Sequence, residues 1–154
     1  MAGYEEKLKE MGITLQPTPK PVAAYIPAKK VGNLVFCSGQ IPSIEGKVIH
    51  TGKVGAEKTV EEGYEAAKIC ALNCLAAVKD LVGTLDNIEE VVQIRGFVNC
   101  TPDFGEQPEV INGASELLES IFGEKGKHAR CALGTSSLPR NITVELEMII
   151  RVRE

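Results

Sequence analysis

Arg130 and Glu145 are the two residues whose types and surroundings could do chemistry together. A guanidinium presents a planar fork of donors that grips a carboxylate bidentately, and a glutamate can take a proton from water and return it. Such a pair suits a small carboxylate substrate that exchanges a proton with water. Residues 129–133 read as a strand and Leu138-Pro139-Arg140-Asn141 as a turn; residues 142–152 read as a second strand with partial period-two alternation. Two adjacent strands would then carry both groups to one cleft. On spacing alone, an ordinary cross-strand ion pair is the favoured explanation.

These strands need a scaffold. Residues 4–11 form a short charged helix closed by Gly12, and 16–21 make an extended proline-rich connector. The chain therefore divides into an N-terminal segment, 1–20, and a main domain, 21–154. Strands are expected near 23–25 and over 34–38, followed by a loop at 43–55 that holds a short strand at 47–49. Val60, Tyr64, Ala67, Ala71, Leu75 and Val78 form an i, i+3, i+4 stripe along a long helix over 59–81, stopped by Gly83. A turn at 86–90, a strand over 91–100 and a second amphipathic helix over 110–122 complete the order. It predicts an α+β fold, a mixed sheet with two helices packed on one face. Val35, Cys37, Val98 and Leu133 are expected on the sheet's other face, where they need cover.

Composition excludes several kinds of chemistry. The net charge of -4 and short basic stretches, Lys29-Lys30 and 125–130, speak against nucleic acid as the main ligand, which needs clustered cations. The 5 cysteines are odd in number and sit in apolar segments, unlike a disulfide framework. Cys70 and Cys74 stand i, i+4 on the long helix but lack further ligands nearby, so no metal is expected and packing explains them. With 2 histidines, His50 in a loop and His128 before the Arg130 strand, nucleophile–histidine arrangements have few bases. No glycine-rich phosphate loop is present, and no cofactor is implied. No apolar run reaches the ~18 residues of a membrane span and no signal-peptide pattern opens the chain, so a cytoplasmic location is expected.

Three motifs together resemble the RidA/YjgF family of reactive-intermediate deaminases, some of whose members are described as L-PSP endoribonucleases. The first is Ala129-Arg130, Leu138-Pro139 and Val144-Glu145-Leu146. The second is Tyr25 with Val31-Gly32-Asn33 and Ser38-Gly39-Gln40-Ile41-Pro42. The third runs through Gly96-Phe97-Val98-Asn99, Asp103-Phe104 and Asn112. They cover most of residues 21–150.

The resemblance implies a chorismate-mutase-like subunit that closes into a homotrimer with clefts at its interfaces. It also implies hydrolytic deamination of 2-iminoacids or their enamine tautomers to 2-oxo acids and ammonia. Arg130 would hold the substrate carboxylate and Glu145 would direct the water. Tyr25, Ser38, Gly39, Asn112 and Ala132 would line the pocket or orient the substrate. Two departures stand out: Ala132 occupies a position commonly cysteine, with Cys131 on the opposite strand face, and 105–108 looks like an inserted helical turn. The alternative is a non-catalytic module that binds a 2-oxo acid or similar small carboxylate; an endoribonuclease is the weaker third reading.

Overall fold

The computed structural model describes residues 3–20 and 23–154; Pro21, at the end of the expected connector, lies outside them. Helix α1 spans Tyr4–Glu10, and Gly12 follows it with φ 72°. This helix is docked rather than solvated. Leu8 is buried, the Tyr4 ring meets Phe122 edge-on at 4.6 Å, and the Glu5 carboxylate accepts from the Leu85 N–H at 3.1 Å and pairs with Lys79 at 3.1 Å.

The main sheet contains β1 (Ala28–Val31), β2 (Leu34–Gln40), β5 (Ile88–Asn99), β6 (Ala129–Thr135) and β7 (Val144–Val152). A separate two-stranded hairpin pairs β3 (Ser43–Ile44) with β4 (Lys47–Val48). The strand order is β1-β2-β7-β5-β6; β5 and β6 run parallel and every other pair is antiparallel. No strand forms at 23–25, where one was expected; the first strand begins at Ala28. Tyr25 precedes Ile26 and Pro27, whose carbonyls are held by Ser38 rather than by a sheet ladder.

Helices α2 (Val60–Val82) and α3 (Gln107–Phe122) cover one face, as the periodicity requires. The start of α2 is fixed by a capping box, with the Thr59 hydroxyl accepting from the Glu62 N–H and the Glu62 carboxylate accepting from the Thr59 N–H. Buried Ala67, Ala71, Leu75 and Val78 deliver the predicted stripe. Cys70 and Cys74 are buried thiols whose Sγ atoms approach the carbonyls of Val144 and Leu146, so they join α2 to β7. All five cysteines are free, and only Cys131 is exposed.

Gly113 fixes how α3 lies. A methyl group there would stand 2.0 Å from the Tyr64 carbonyl oxygen, so the backbones of α2 and α3 touch at this point. That contact sets the rotation of α3 and turns Asn112 and Ser115 toward β6.

The opposite face of the sheet is open. It carries Phe36, 43% exposed, and Leu133, 52% exposed, with the Arg95–Glu147 ion pair between β5 and β7. Val35, Cys37 and Val98 are not on it. They are buried against the helices, contrary to expectation, and only Leu133 of the four sits where the sequence suggested. The run Leu34-Val35-Phe36-Cys37 is apolar in both phases, so alternation could not say which phase faced the helices.

Candidate functional site

β7 alternates strictly. Val144, Leu146, Met148, Ile150 and Val152 are buried against the helices, which leaves Glu145 and Glu147 on the open face. Glu145 lines a cavity of about 410 Å³ together with Tyr25, Gly39, Pro139, Arg140 and Lys20. The register of β2 against β7 slips between Cys37 and Gln40, where three steps on β2 match two on β7. This bulge sets Gly39 flat against Glu145. A methyl group on Gly39 would lie 3.2 Å from the Glu145 Cδ, so the missing side chain is what lets the carboxyl rest there. No cation within ion-pairing distance neutralises Glu145 among the described residues. Burial, and secondarily the negative charge of Glu147, push its carboxyl above the ordinary range.

Tyr25 is exposed and stands at this cavity. Ser38 does not line it. Its hydroxyl donates to the Ile26 carbonyl at 2.6 Å, and its N–H donates to the Pro27 carbonyl at 2.8 Å. Ser38 therefore anchors the segment that presents Tyr25.

Arg130 lies elsewhere. Its Nη1 donates to Asn112 Oδ1 at 2.7 Å and to Ser115 Oγ at 3.0 Å, both on α3. Asn112 is inside the helix, so it is a partner of the guanidinium and not a helix cap. Sequence reasoning missed Ser115, although its i+3 spacing from Asn112 places it on the same helix face. Ala132 shares the Arg130 side of β6 and packs against the core, while Cys131 points to the open face, as alternation demanded. His128 is half-buried beside Arg130; burial chiefly, with the guanidinium's charge, lowers its pKa.

The expected adjacency of the two strands is overturned. β5 runs between β6 and β7, with Ile94 paired to Arg130 and to Met148, and Phe97 paired to Leu133 and to Glu145. Residues paired across a sheet share a face, so Arg130 is on the helix side and Glu145 on the open side. Two strand spacings and three residues of rise separate their Cα atoms by about 14 Å. That distance excludes both a shared cleft within one chain and a direct ion pair. The cross-strand ion pair exists between different residues, Arg95 and Glu147.

One chain thus holds two separate features: a carboxyl in a cavity on the open face, and a guanidinium oriented by α3 at the edge strand. Among the described residues no group of three or more His, Cys, Asp or Glu side chains could hold a metal ion, and no helix is long and apolar enough to cross a membrane.

A family model described as "YjgF/chorismate_mutase-like, putative endoribonuclease" matches residues 5–150. Protein TCP17 of Trypanosoma cruzi is 39% identical over 94% of this chain and 91% of that protein. The crystal structure of protein Atu1372, of unknown function, from Agrobacterium tumefaciens superposes with a TM-score of 0.90 at 44% identity, covering 97% of this chain and 92% of that one. A protein of Dermatophagoides farinae named 2-iminobutanoate/2-iminopropanoate deaminase is 29% identical over 86% of this chain and 88% of its own length.

Proposed function

Since the chain belongs to the YjgF/chorismate-mutase-like family, we propose that it hydrolyses 2-iminoacids to 2-oxo acids and ammonia in clefts between neighbouring copies of itself. The observation that carries this reading is the Glu145 carboxyl: it lines a cavity, rests against Gly39, has no cationic partner among the described residues, and is held above its usual range. A carboxyl in that state can take a proton from water and give it back more readily than an ordinary glutamate.

The chemistry needs nothing more than water. Glu145 accepts a proton as the water oxygen bonds to the imine carbon. The C=N pair passes to nitrogen, which takes a proton from solvent; Glu145 then returns its proton to that nitrogen, the C–N bond breaks as the hydroxyl releases its proton to solvent and the C=O forms, and ammonia and the 2-oxo acid leave. No electron acceptor enters the balance. The substrate carboxylate is gripped by the donors of Arg130 that Asn112 and Ser115 leave unused.

Arg130 cannot reach the Glu145 cavity of its own chain, so a neighbouring copy supplies it. The apolar open face around Phe36 and Leu133 supports such association, since contiguous exposed apolar surface favours burial against a partner. A cyclic trimer is the assembly proposed.

The test is ammonia release from 2-iminoacids generated in place, with wild type, Arg130→Ala and Glu145→Gln. Each variant alone is expected to be inactive. Co-refolded one to one, the two should regain activity at about a quarter of their sites, because a heterologous interface joins intact halves of opposite variants at that frequency. Full inactivity of the mixture would overturn the shared-site reading; undiminished Glu145→Gln would overturn the mechanism.

A second reading is favoured by the fixed guanidinium alone. Arg130, already oriented by α3, would retain a 2-oxo acid without turnover, which makes the protein a small-carboxylate binding module. Turnover by wild type decides between the two. The acidic charge of -4 weighs against the endoribonuclease reading, because phosphate backbones need clustered cations.

A further inference from the structure

We infer that the Glu145 cavity contains a second anion subsite, built from Arg140 and Lys20, which selects iminoacids carrying a negatively charged side chain. The inference rests on the imine-hydrolysis reading above and names its substrate class.

Both cations line the cavity with Glu145. Among the described residues, neither has a carboxylate within 4.0 Å, whereas Lys58, Lys79, Arg95, Lys127 and Arg151 are all paired. Nor does either cation sit against Glu145. A guanidinium or ammonium in contact would lower that carboxyl, which instead stands raised by burial and by Glu147. A gap therefore separates the cations from the acid, and the cavity's volume falls in the range of small-molecule sites.

Arg140 is placed there by a turn under strain. Its backbone has φ 56° and ψ 22°, and Asn141 follows with φ 58°, two successive non-glycine residues in the left-handed region. Such residues are strained and persist where neighbours impose them. Here the neighbours are explicit. The Asn141 carbonyl accepts from the Gly52 N–H at 2.8 Å, and Asn141 Oδ1 accepts from the fully buried Asn99 at 2.9 Å. Asn99 in turn accepts from Lys53 at 2.9 Å. The root of the Arg140 side chain is rigid while its head remains exposed, so it meets an anion with little reorganisation and no cost of burying its charge.

A 2-iminoacid has one carboxylate, and the proposed assembly spends Arg130 on it. Two further cations lining the same cavity as Glu145 are surplus for a neutral side chain. They match a second carboxylate, as in the imines of aspartate or glutamate, for which an arginine fork is the natural partner.

The experiment compares kcat/KM for imines generated in place from D-aspartate and D-glutamate with that for the imine of D-alanine, using the matching oxidases. Wild type should favour the acidic imines, and Arg140→Met should shift the acidic-to-neutral ratio tenfold or more toward the neutral substrate. Lys20→Met should shift it in the same direction, by less. Lys30→Met, which removes an exposed cation on β1 away from the cavity, should leave the ratio at the wild-type value. A ratio unmoved by Arg140→Met, or a wild-type preference for the alanine imine, overturns the subsite. If no imine is turned over, calorimetric binding of 2-oxoglutarate against 2-oxobutanoate decides separately. An Arg140-dependent preference for the dicarboxylate keeps the subsite and rejects the deaminase; equal binding rejects the subsite.

Discussion

Asn112 Oδ1 lies 2.7 Å from Arg130 Nη1, and this bond, with Ser115 at 3.0 Å on the same nitrogen, fixes the guanidinium against α3. A hydrogen bond to a charged group is worth about 1.5–3 kcal/mol. Asn112→Ala should therefore lower kcat/KM by roughly ten- to a hundredfold, chiefly through KM, since it loosens a binding group rather than the proton carrier. Ser115→Ala, which leaves the shorter bond in place, should cost less. Steady-state kinetics on one imine, with circular dichroism to verify folding, gives the answer; a pure kcat effect would contradict a binding role for Arg130.

Gly39 lies against Glu145, the proposed proton carrier. Because a methyl group there would stand 3.2 Å from the Glu145 Cδ, Gly39→Ala should displace the carboxyl by a few tenths of an ångström. The residue is not in a left-handed conformation, so the fold should tolerate the change. The expected result is at least a tenfold loss of kcat with an unchanged melting temperature. Equal kinetics for the variant and wild type would remove Glu145 from the chemistry.

The pH profile should carry the mark of Glu145. Its carboxyl is raised by burial and by Glu147, so the acid limb of kcat/KM should fall above the ordinary glutamate value of about 4.3. Glu147→Gln removes the like charge and should move that limb to lower pH. The stability sign is the reverse of the usual carboxylate case: a raised folded pKa means the native state binds the proton more tightly. Glu145 therefore costs stability as pH rises through its folded value, and Glu145→Gln should gain stability at neutral pH in denaturant titrations.

Helix α1 is predicted to be part of the stable unit. Leu8→Ala empties a buried position and should cost about 2–5 kcal/mol. Burial alone would raise Glu5, but the Leu85 N–H and the Lys79 ammonium outweigh it and hold the carboxylate below its usual range. Its stabilisation is complete above the unfolded value and is lost as pH falls through the lower folded one. Chemical denaturation from pH 7 to pH 3 should show Glu5→Gln flattening that acid limb.

Much of the fold was legible because single elements declare themselves locally. The apolar stripe of α2, the glycines after α1 and α2, and the turn chemistry at Leu138–Asn141 each act within a few residues. Pairing of strands is not local. The connection from Ala129 to Val152 reads as a hairpin, yet β5, distant in sequence, takes the place between its arms because β6 pairs with it in parallel. The same insertion separates Arg130 from Glu145, so candidate residues could be proposed from sequence while their geometry could not. Ser38 and Asn112 were similarly identified as residues of interest without their partners, Ile26 and Arg130, which only packing supplies.

The strict alternation of β7 has an evolutionary consequence. Val144, Leu146, Met148, Ile150 and Val152 serve the interior, while Glu145, Glu147, Ile149 and Arg151 serve the open face, in one strand of nine residues. Selection on foldability and selection on chemistry therefore act on interleaved, non-overlapping positions. A lineage can change what the open face recognises by substituting every second residue, and the interior it shares with its relatives stays intact.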